Sequence, residues 1–148
     1  MADEIPESLQ SRLSYVLGNL YRRSLDVESD ALARVGTGIK QQAALDVLTE
    51  EGSMSQQRLG QRLGIDRTTI VTVVDDLENA GLVERTRDRA DRRAHIVTPT
   101  RSGQTKQRHG HRAVQEAERA LLPGFTDDER RTLIGLLARA LTSEPFDS

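Results

Sequence analysis

Basic side chains are concentrated in one stretch of the chain. Residues 82–112 hold nine basic residues against three acidic ones, a net charge of +6. A guanidinium keeps its charge at every physiological pH and donates hydrogen bonds in a planar fork, which suits phosphate oxygens and base edges. A charged face of this kind is typical of a protein that binds a polyanion. The nine residues are Arg85, Arg87, Arg89, Arg92, Arg93, Arg101, Lys106, Arg108 and Arg112.

A threonine-rich segment, residues 68–74, comes shortly before these arginines. Because most of it is β-branched, propensity alone favours a strand. Periodicity favours a helix, since the apolar residues recur at i, i+3, i+4 and i+7 and leave the threonines on the opposite face. The inward positions of this predicted helix are Ile70, Val73, Val74 and Leu77.

Helix start and stop signals surround this segment. Asp66 is placed as the N-cap of the threonine-rich helix, and Gly81 ends it. Ser55 is placed as the N-cap of a shorter helix before it, which Gly64 ends. The sequence therefore predicts two short helices joined by a tight turn.

The pattern changes after the second of these helices. Residues 82–87 and 93–98 read as two strands around a charged tip. Two short helices followed by a hairpin form a winged helix-turn-helix.

The remaining sequence is predicted to be helical. Apolar spacing predicts helices over residues 8–34 and 39–49, and Thr100 and Thr126 are placed to cap two more. The fold class is thus mainly α with a small β-hairpin, in which both termini build a helical dimerisation module around the winged helix-turn-helix. The chain is predicted to divide into two parts. Residues 1–36 and 101–148 form the dimerisation module, and residues 37–100 form the DNA-binding lobe.

The overall charge conceals this organisation. The 148 residues carry 21 Lys and Arg against 23 Asp and Glu, a net charge of −2 that does not by itself indicate nucleic-acid binding. Residues 55–112 carry 12 basic and seven acidic residues, and the rest of the chain carries nine and 16. A lobe of +5 therefore stands against a remainder of −7.

Composition excludes several classes of protein. Without cysteine the chain has no disulfide, no Cys-ligated metal and no thiol sensor. No apolar run approaches the roughly 20 residues that span a bilayer, so we expect a soluble, cytoplasmic protein without a membrane partner. The histidines His95, His109 and His111 lack helical ligand spacing and acidic neighbours, so neither a metal nor another cofactor is expected. No nucleophile–base arrangement indicates an enzyme.

Three motifs lie in and around the hairpin: Ala80-Gly81-Leu82-Val83-Glu84-Arg85, Asp91-Arg92-Arg93 and Thr100-Arg101-Ser102-Gly103. Together they resemble the wing signature of the MarR family of bacterial transcriptional regulators, which runs G-L-[VI]-x-R, then D-x-R, then L-T-x-x-G. Length and element order agree as well, so the resemblance covers the whole chain. Pro99 departs from the pattern, because the family usually has leucine there, and it is expected to shorten the second strand.

The resemblance implies a homodimer whose first, fifth and sixth helices interleave. Each subunit would place the helix of residues 66–80 in the major groove of double-stranded DNA and its wing in the adjacent minor groove. Ser55 and Gln56 would contact phosphates at the start of the supporting helix. The side chains expected to reach base edges are Arg67, Thr68, Thr69 and Thr72.

At the wing, the D-x-R motif implies two different roles. Arg93 would enter the narrow minor groove, and Asp91 would orient it through an ion pair. Arg89 and Arg92 are expected to contact phosphates.

Members of the family often release DNA when a small aromatic or phenolic acid enters a cleft between the dimerisation module and the DNA-binding lobe. Arg12, Tyr15 and Tyr21 are candidates for such an effector pocket. The alternative for these three is an ordinary packed helix face.

The sequence therefore predicts a dimeric, sequence-specific DNA-binding regulator. The expected activity is ligand-responsive repression from a pseudo-palindromic operator. The alternative is a helical interaction protein whose basic wing binds an acidic protein partner. A salt titration and a scrambled duplex separate the two, because DNA binding weakens steeply with salt.

Overall fold

The computed structural model of the chain describes residues 5–143 and contains seven helices and three strands within that range. A winged helix-turn-helix lies between longer helices from the two ends of the chain. In chain order the elements are α1 Glu7–Gln10, α2 Leu13–Arg34, α3 Ile39–Glu51, β1 Met54–Ser55, α4 Gln56–Leu63, α5 Arg67–Asn79, β2 Val83–Arg87, β3 His95–Pro99, α6 Arg101–Leu121 and α7 Asp127–Thr142.

The threonine-rich segment is a helix, as its periodicity predicts. The four inward residues of α5 are buried in the core, and the energy of burying them outweighs the strand propensity of the β-branched residues. Four predicted N-caps also form, each side chain accepting the backbone N–H three residues later. They are Ser55, Asp66, Thr100 and Thr126.

The sheet has a third strand that the sequence does not predict. β3 lies in the middle of an antiparallel sheet, between β1 and β2. Met54 pairs with Val97 in this sheet, and both side chains are buried. A strand of two residues is too short to show alternation, which explains why it was missed. Pro99 still belongs to β3, where it pairs with Val83.

The first predicted helix is interrupted. Residues 8–34 form two helices, because Arg12 has an extended backbone with φ −92° and ψ 111°. The apolar residues Leu9 and Leu13 on the two sides of the break are four apart, so the helical pattern continues across it. Arg12 also makes no side-chain cap, so the sequence carries no start signal there.

One hydrophobic core unites α3, α4, α5 and the sheet. Leu45, Leu59 and Val74 are fully buried in it, and Met54 packs in the same cluster. This core fixes the orientation of α5 relative to the hairpin.

Helix α6 begins in close contact with the segment before β2. The Thr100 N–H donates to the Leu82 carbonyl at 3.0 Å, and the Thr100 hydroxyl donates to the Gly81 carbonyl at 2.7 Å. A Cβ on Gly103 would lie 1.9 Å from the Leu82 carbonyl oxygen, so only glycine fits. The threonine and glycine of the third motif therefore fasten α6 to the hairpin.

A polar contact joins α3 to α6. The side chain of Gln42 is 2% exposed and donates to Asp46 at 2.9 Å and to the Gln107 carbonyl at 3.0 Å. Its oxygen lies against Gly110, where a Cβ would approach to 1.8 Å. This contact links the winged helix-turn-helix to the long C-terminal helices.

Within residues 5–143, no helix is long and apolar enough to span a membrane.

Replacing Gly103 by Ala is expected to lower the free energy of unfolding by about 1–3 kcal/mol, because α6 must move away from Leu82. Urea denaturation measures this change. Gly124→Ala is the matched control, since a Cβ there meets no atom within 4 Å. Equal stability of both variants would contradict the close contact.

Candidate nucleic-acid interface

The outer face of α5 collects the residues predicted to reach base edges. Arg67, Thr68 and Thr72 are exposed along this face, and Thr69 is half-buried at its edge. Val71 is also exposed there, and the sequence analysis did not identify it. Its β-branched side chain on the polar face of the helix was the available signal.

The threonine hydroxyls have different surroundings. The Thr69 hydroxyl donates to Asp66 at 2.6 Å, and its backbone N–H donates to the same carboxylate at 2.8 Å. These bonds lower the pKa of Asp66. The Thr72 hydroxyl points to the Thr68 carbonyl at 3.4 Å. In the part of the chain that the structure describes, only the hydroxyl of Thr68 among the three has no protein partner.

The two residues predicted to contact phosphates lie at the start of α4. The Ser55 oxygen accepts the Arg58 N–H at 3.2 Å, which leaves the hydroxyl proton of Ser55 available to a ligand. The Gln56 side-chain oxygen accepts from Arg85 at 3.2 Å. Gln56 is thus engaged within the protein.

Arg85 forms the most connected polar cluster of the lobe. Its side chain is 19% exposed and donates to Glu78 at 2.8 and 3.0 Å, and it also pairs with Asp75. Hydrogen bonding to Arg85 lowers the pKa of Glu78, and hydrogen bonding to Glu78 and Asp75 raises the pKa of Arg85. Arg85 therefore joins β2 to α4 and α5, and its charge is neutralised inside the protein.

The wing tip is closed by two aspartates that bind backbone N–H groups. Asp88 accepts from Ala90 at 2.9 Å, and Asp91 accepts from the N–H of Arg93 at 3.0 Å. The expected ion pair between the side chains of Asp91 and Arg93 is not formed. The backbone N–H offers Asp91 a closer donor, because the tight turn brings it within reach of the carboxylate.

Four arginines of the wing lie on this turn or at the end of the strand that leads into it. Arg87, Arg89, Arg92 and Arg93 are all exposed. Among the described residues, none of the four takes part in a protein ion pair. The wing thus offers its cations to an external anion, whereas Arg85 does not.

The predicted effector residues are not brought together in one cavity. Tyr21 lines an apolar pocket of about 310 Å³ between α2, α6 and α7. Arg130 lines this pocket too and is only 7% exposed. Arg12 is the N-cap residue of α2 and Tyr15 lies on the first turn of this helix. Neither residue lines that pocket.

A second pocket, of about 350 Å³, lies between the α2–α3 connection and the end of α5. The hydroxyl oxygen of Thr37 is buried beside it without a hydrogen-bond partner. Residues 36–38 and Gln41 form one side, and Leu77 and Leu82 form the other.

No group of three or more His, Asp or Glu within residues 5–143 is arranged to hold a metal ion.

Comparison with known proteins finds relatives of this chain. A family model described as MarR family matches residues 35–94. The HTH-type transcriptional regulator TtmR of Methylorubrum extorquens is 31% identical over 140 residues, which cover 90% of this chain and 67% of that protein. An uncharacterized HTH-type transcriptional regulator of Bacillus subtilis, YcgE, is 28% identical over 112 residues, 76% of this chain and 71% of the relative.

Solved structures share the fold. A probable transcriptional regulator from Pseudomonas aeruginosa has a TM-score of 0.74 and 31% identity, covering 89% of this chain and 98% of its own. CouR from Rhodococcus jostii RHA1, bound to p-coumaroyl-CoA, has a TM-score of 0.76 and 25% identity, covering 96% and 97%. A mutant MarR from E. coli complexed with operator DNA has a TM-score of 0.73 and 23% identity, covering 87% and 93%.

Replacing Arg85 by Ala is expected to lower the urea midpoint of unfolding at neutral pH, because Asp75 and Glu78 lose their shared cation. The pKa of Glu78 is lowered in the folded protein, so this contribution is present above the ordinary glutamate pKa and is lost as the pH falls through the lowered value. The difference in urea midpoint between wild type and R85A should therefore become smaller in acid.

The matched control for this series is Arg87→Ala, two residues along the same strand, exposed and without an ion pair. Its urea midpoint should follow that of wild type at every pH. A difference between wild type and R85A that stays constant with pH would contradict the role of the Arg85–Glu78 pair.

Proposed function

Because the chain belongs to the MarR family of transcriptional regulators, we propose that it is a dimeric, sequence-specific DNA-binding repressor that responds to a small ligand. The observation that carries this proposal is the exposed face of α5 beside a wing of unpaired arginines. The two surfaces have a fixed relation, since Arg85 of β2 donates hydrogen bonds to Glu78 and Asp75 of α5.

The proposed binding pose follows from this arrangement. Helix α5 enters the major groove with Arg67, Thr68 and Thr72 at its floor, and Arg93 enters the minor groove. Arg89 and Arg92 contact phosphates, as does the Ser55 hydroxyl. Gln56 acts mainly by accepting a hydrogen bond from Arg85, and Thr69 acts mainly by donating one to Asp66. A MarR mutant with the same fold is known in complex with operator DNA, which supports DNA as the partner.

A second copy of the chain is the proposed occupant of the apolar surface on α2 and α7. Ile134, Leu136 and Leu141 on α7 are 45%, 50% and 87% exposed, and Leu13 and Tyr21 on α2 are 70% and 63% exposed. This amount of exposed apolar surface on two neighbouring helices favours association. Two lobes in a symmetric dimer would read half-sites one helical turn apart, about 34–36 Å.

For the ligand we propose a small aromatic or phenolic acid. The pocket between the α2–α3 connection and α5 lies beside the end of the recognition helix, so that an occupant could displace it. The unpartnered oxygen of Thr37 would bond a phenolic hydroxyl. CouR, which is bound to p-coumaroyl-CoA, supports a phenolic group in the ligand. Arg12, Tyr15 and Tyr21 stay candidates for a site on α2.

The experiment that tests DNA binding is selection from a random-sequence duplex pool, followed by a salt titration on the enriched duplex. We expect one enriched pseudo-palindrome, and log affinity should fall linearly with log salt. A scrambled duplex should bind much more weakly. Equal binding of both duplexes would contradict sequence-specific recognition, and the absence of binding to either duplex would favour the acidic protein partner.

Replacing Arg93 by Ala should weaken binding of the enriched duplex by roughly 1–3 kcal/mol, about the value of one specific base contact. Fluorescence anisotropy at fixed salt measures the loss. Arg131→Ala is the matched control, because Arg131 lies exposed on α7, far along the chain from the wing. Unchanged affinity of R93A would exclude the minor-groove contact.

Replacing Ile134 by Glu should dissociate the dimer, because a charge would be buried against the partner's apolar helices. Analytical ultracentrifugation at micromolar concentration should then give the monomer mass. Thr142→Glu places the same charge on the side of α7 that carries Gly135, Ala138 and Arg139, and it should leave the dimer intact. A dimeric I134E would place the interface elsewhere.

A further inference from the structure

Val71 is an apolar side chain toward one edge of the exposed face of α5. It is 38% exposed, and it lies one turn from Thr68 and beside Thr72. The other apolar residues of this helix, including Val73 and Val74, are 3% exposed or less. Val71 is thus the apolar member of a face that otherwise carries polar groups.

Burial inside the molecule accounts for valine at this position only in part, since 38% of the residue is exposed. A β-branched residue is a weaker helix former than alanine, and the exposed part of Val71 gains no energy from burial. The stability of the helix would favour alanine or a long polar residue there. The chemistry of an external contact is therefore the better account of the side chain.

The threonines extend the apolar character of this face. Since the Thr72 hydroxyl points to the Thr68 carbonyl, its methyl group becomes the outer part of the side chain. Thr69 likewise directs its hydroxyl to Asp66. Val71 itself lies one turn from both Arg67 and Asp75, and Arg85 neutralises the carboxylate of Asp75.

Resting on the proposed DNA-binding function, we infer that Val71 recognises the C5-methyl group of a thymine in each half-site. In the major groove, this methyl is the feature that distinguishes thymine by apolar contact. The apolar surface formed by Val71 and the threonine methyl groups is too small to bind a protein helix. The surrounding arginines favour a polyanion as the partner. Val71 is thus a specificity-determining residue of the recognition helix.

The test uses the duplex enriched from the random pool and replaces each thymine in turn by deoxyuridine, which lacks only the methyl group. For the wild-type protein, substitution at one position per half-site should weaken binding about three- to fivefold, the value of burying one methyl group. Fluorescence anisotropy with the full-length protein gives the affinities.

Val71→Ala removes the contact on the protein side. It should bind the thymine duplex about as weakly as wild type binds a duplex with deoxyuridine at that position of both half-sites, and it should lose discrimination between the two duplexes. Arg67→Ala is the matched control, one turn from Val71. This variant should bind both duplexes more weakly than wild type, but it should still distinguish the thymine duplex from the deoxyuridine duplex. Circular dichroism and urea denaturation check that both variants fold.

Two results would overturn the inference and leave the proposed function standing. Either the wild-type protein binds every deoxyuridine duplex as tightly as the thymine duplex, or V71A keeps full discrimination. A pool without any enriched sequence would overturn both the inference and the proposed function.

Discussion

The guanidinium of Arg85 is the contact on which the geometry of the candidate interface depends. It is the point where β2 meets α4 and α5, and it satisfies carboxylates that would otherwise face the same groove as the recognition residues. A bidentate, permanently charged fork suits this position, because a single ammonium could not reach several acceptors in fixed directions. The angle between wing and recognition helix is thereby set before any partner arrives.

This contact also divides the arginines of the chain into two groups. Arg85 and Arg62 pair with acidic residues of the same lobe and contribute to its structure. The wing arginines have no such partners and supply the external charge. A net charge of −2 is therefore compatible with a strongly basic surface, because the excess acidity lies outside residues 55–112.

Much of the fold could be predicted from local signals. The N-caps Ser55 and Asp66 and the spacing of Ile70, Val73 and Val74 were sufficient to define α4 and α5. The strand β1 could not be predicted, since its two residues are held by pairing with a segment more than 40 residues away. The break at Arg12 was missed because the apolar spacing continues across it.

The candidate site was harder to predict for a related reason. Residue type indicates which groups can bind a partner, and only the three-dimensional arrangement shows which of them are already engaged. A side-chain polar group is already hydrogen-bonded to a neighbour within the protein at Gln56, Thr69 and Asp91. Val71 could not be predicted in the same way, because polar side chains are the ordinary signal of a DNA-binding face, whereas a thymine methyl is an apolar target.

The closed turn at the wing tip has a consequence for how fast a partner can be bound. Asp88 and Asp91 fix the backbone of the tip through bonds to Ala90 and Arg93, so the conformational entropy of this loop is lost when the chain folds. Docking then requires ordering only the long arginine side chains. A preformed loop of this kind favours rapid association, guided at a distance by its charge and followed by local adjustment of its guanidinium groups.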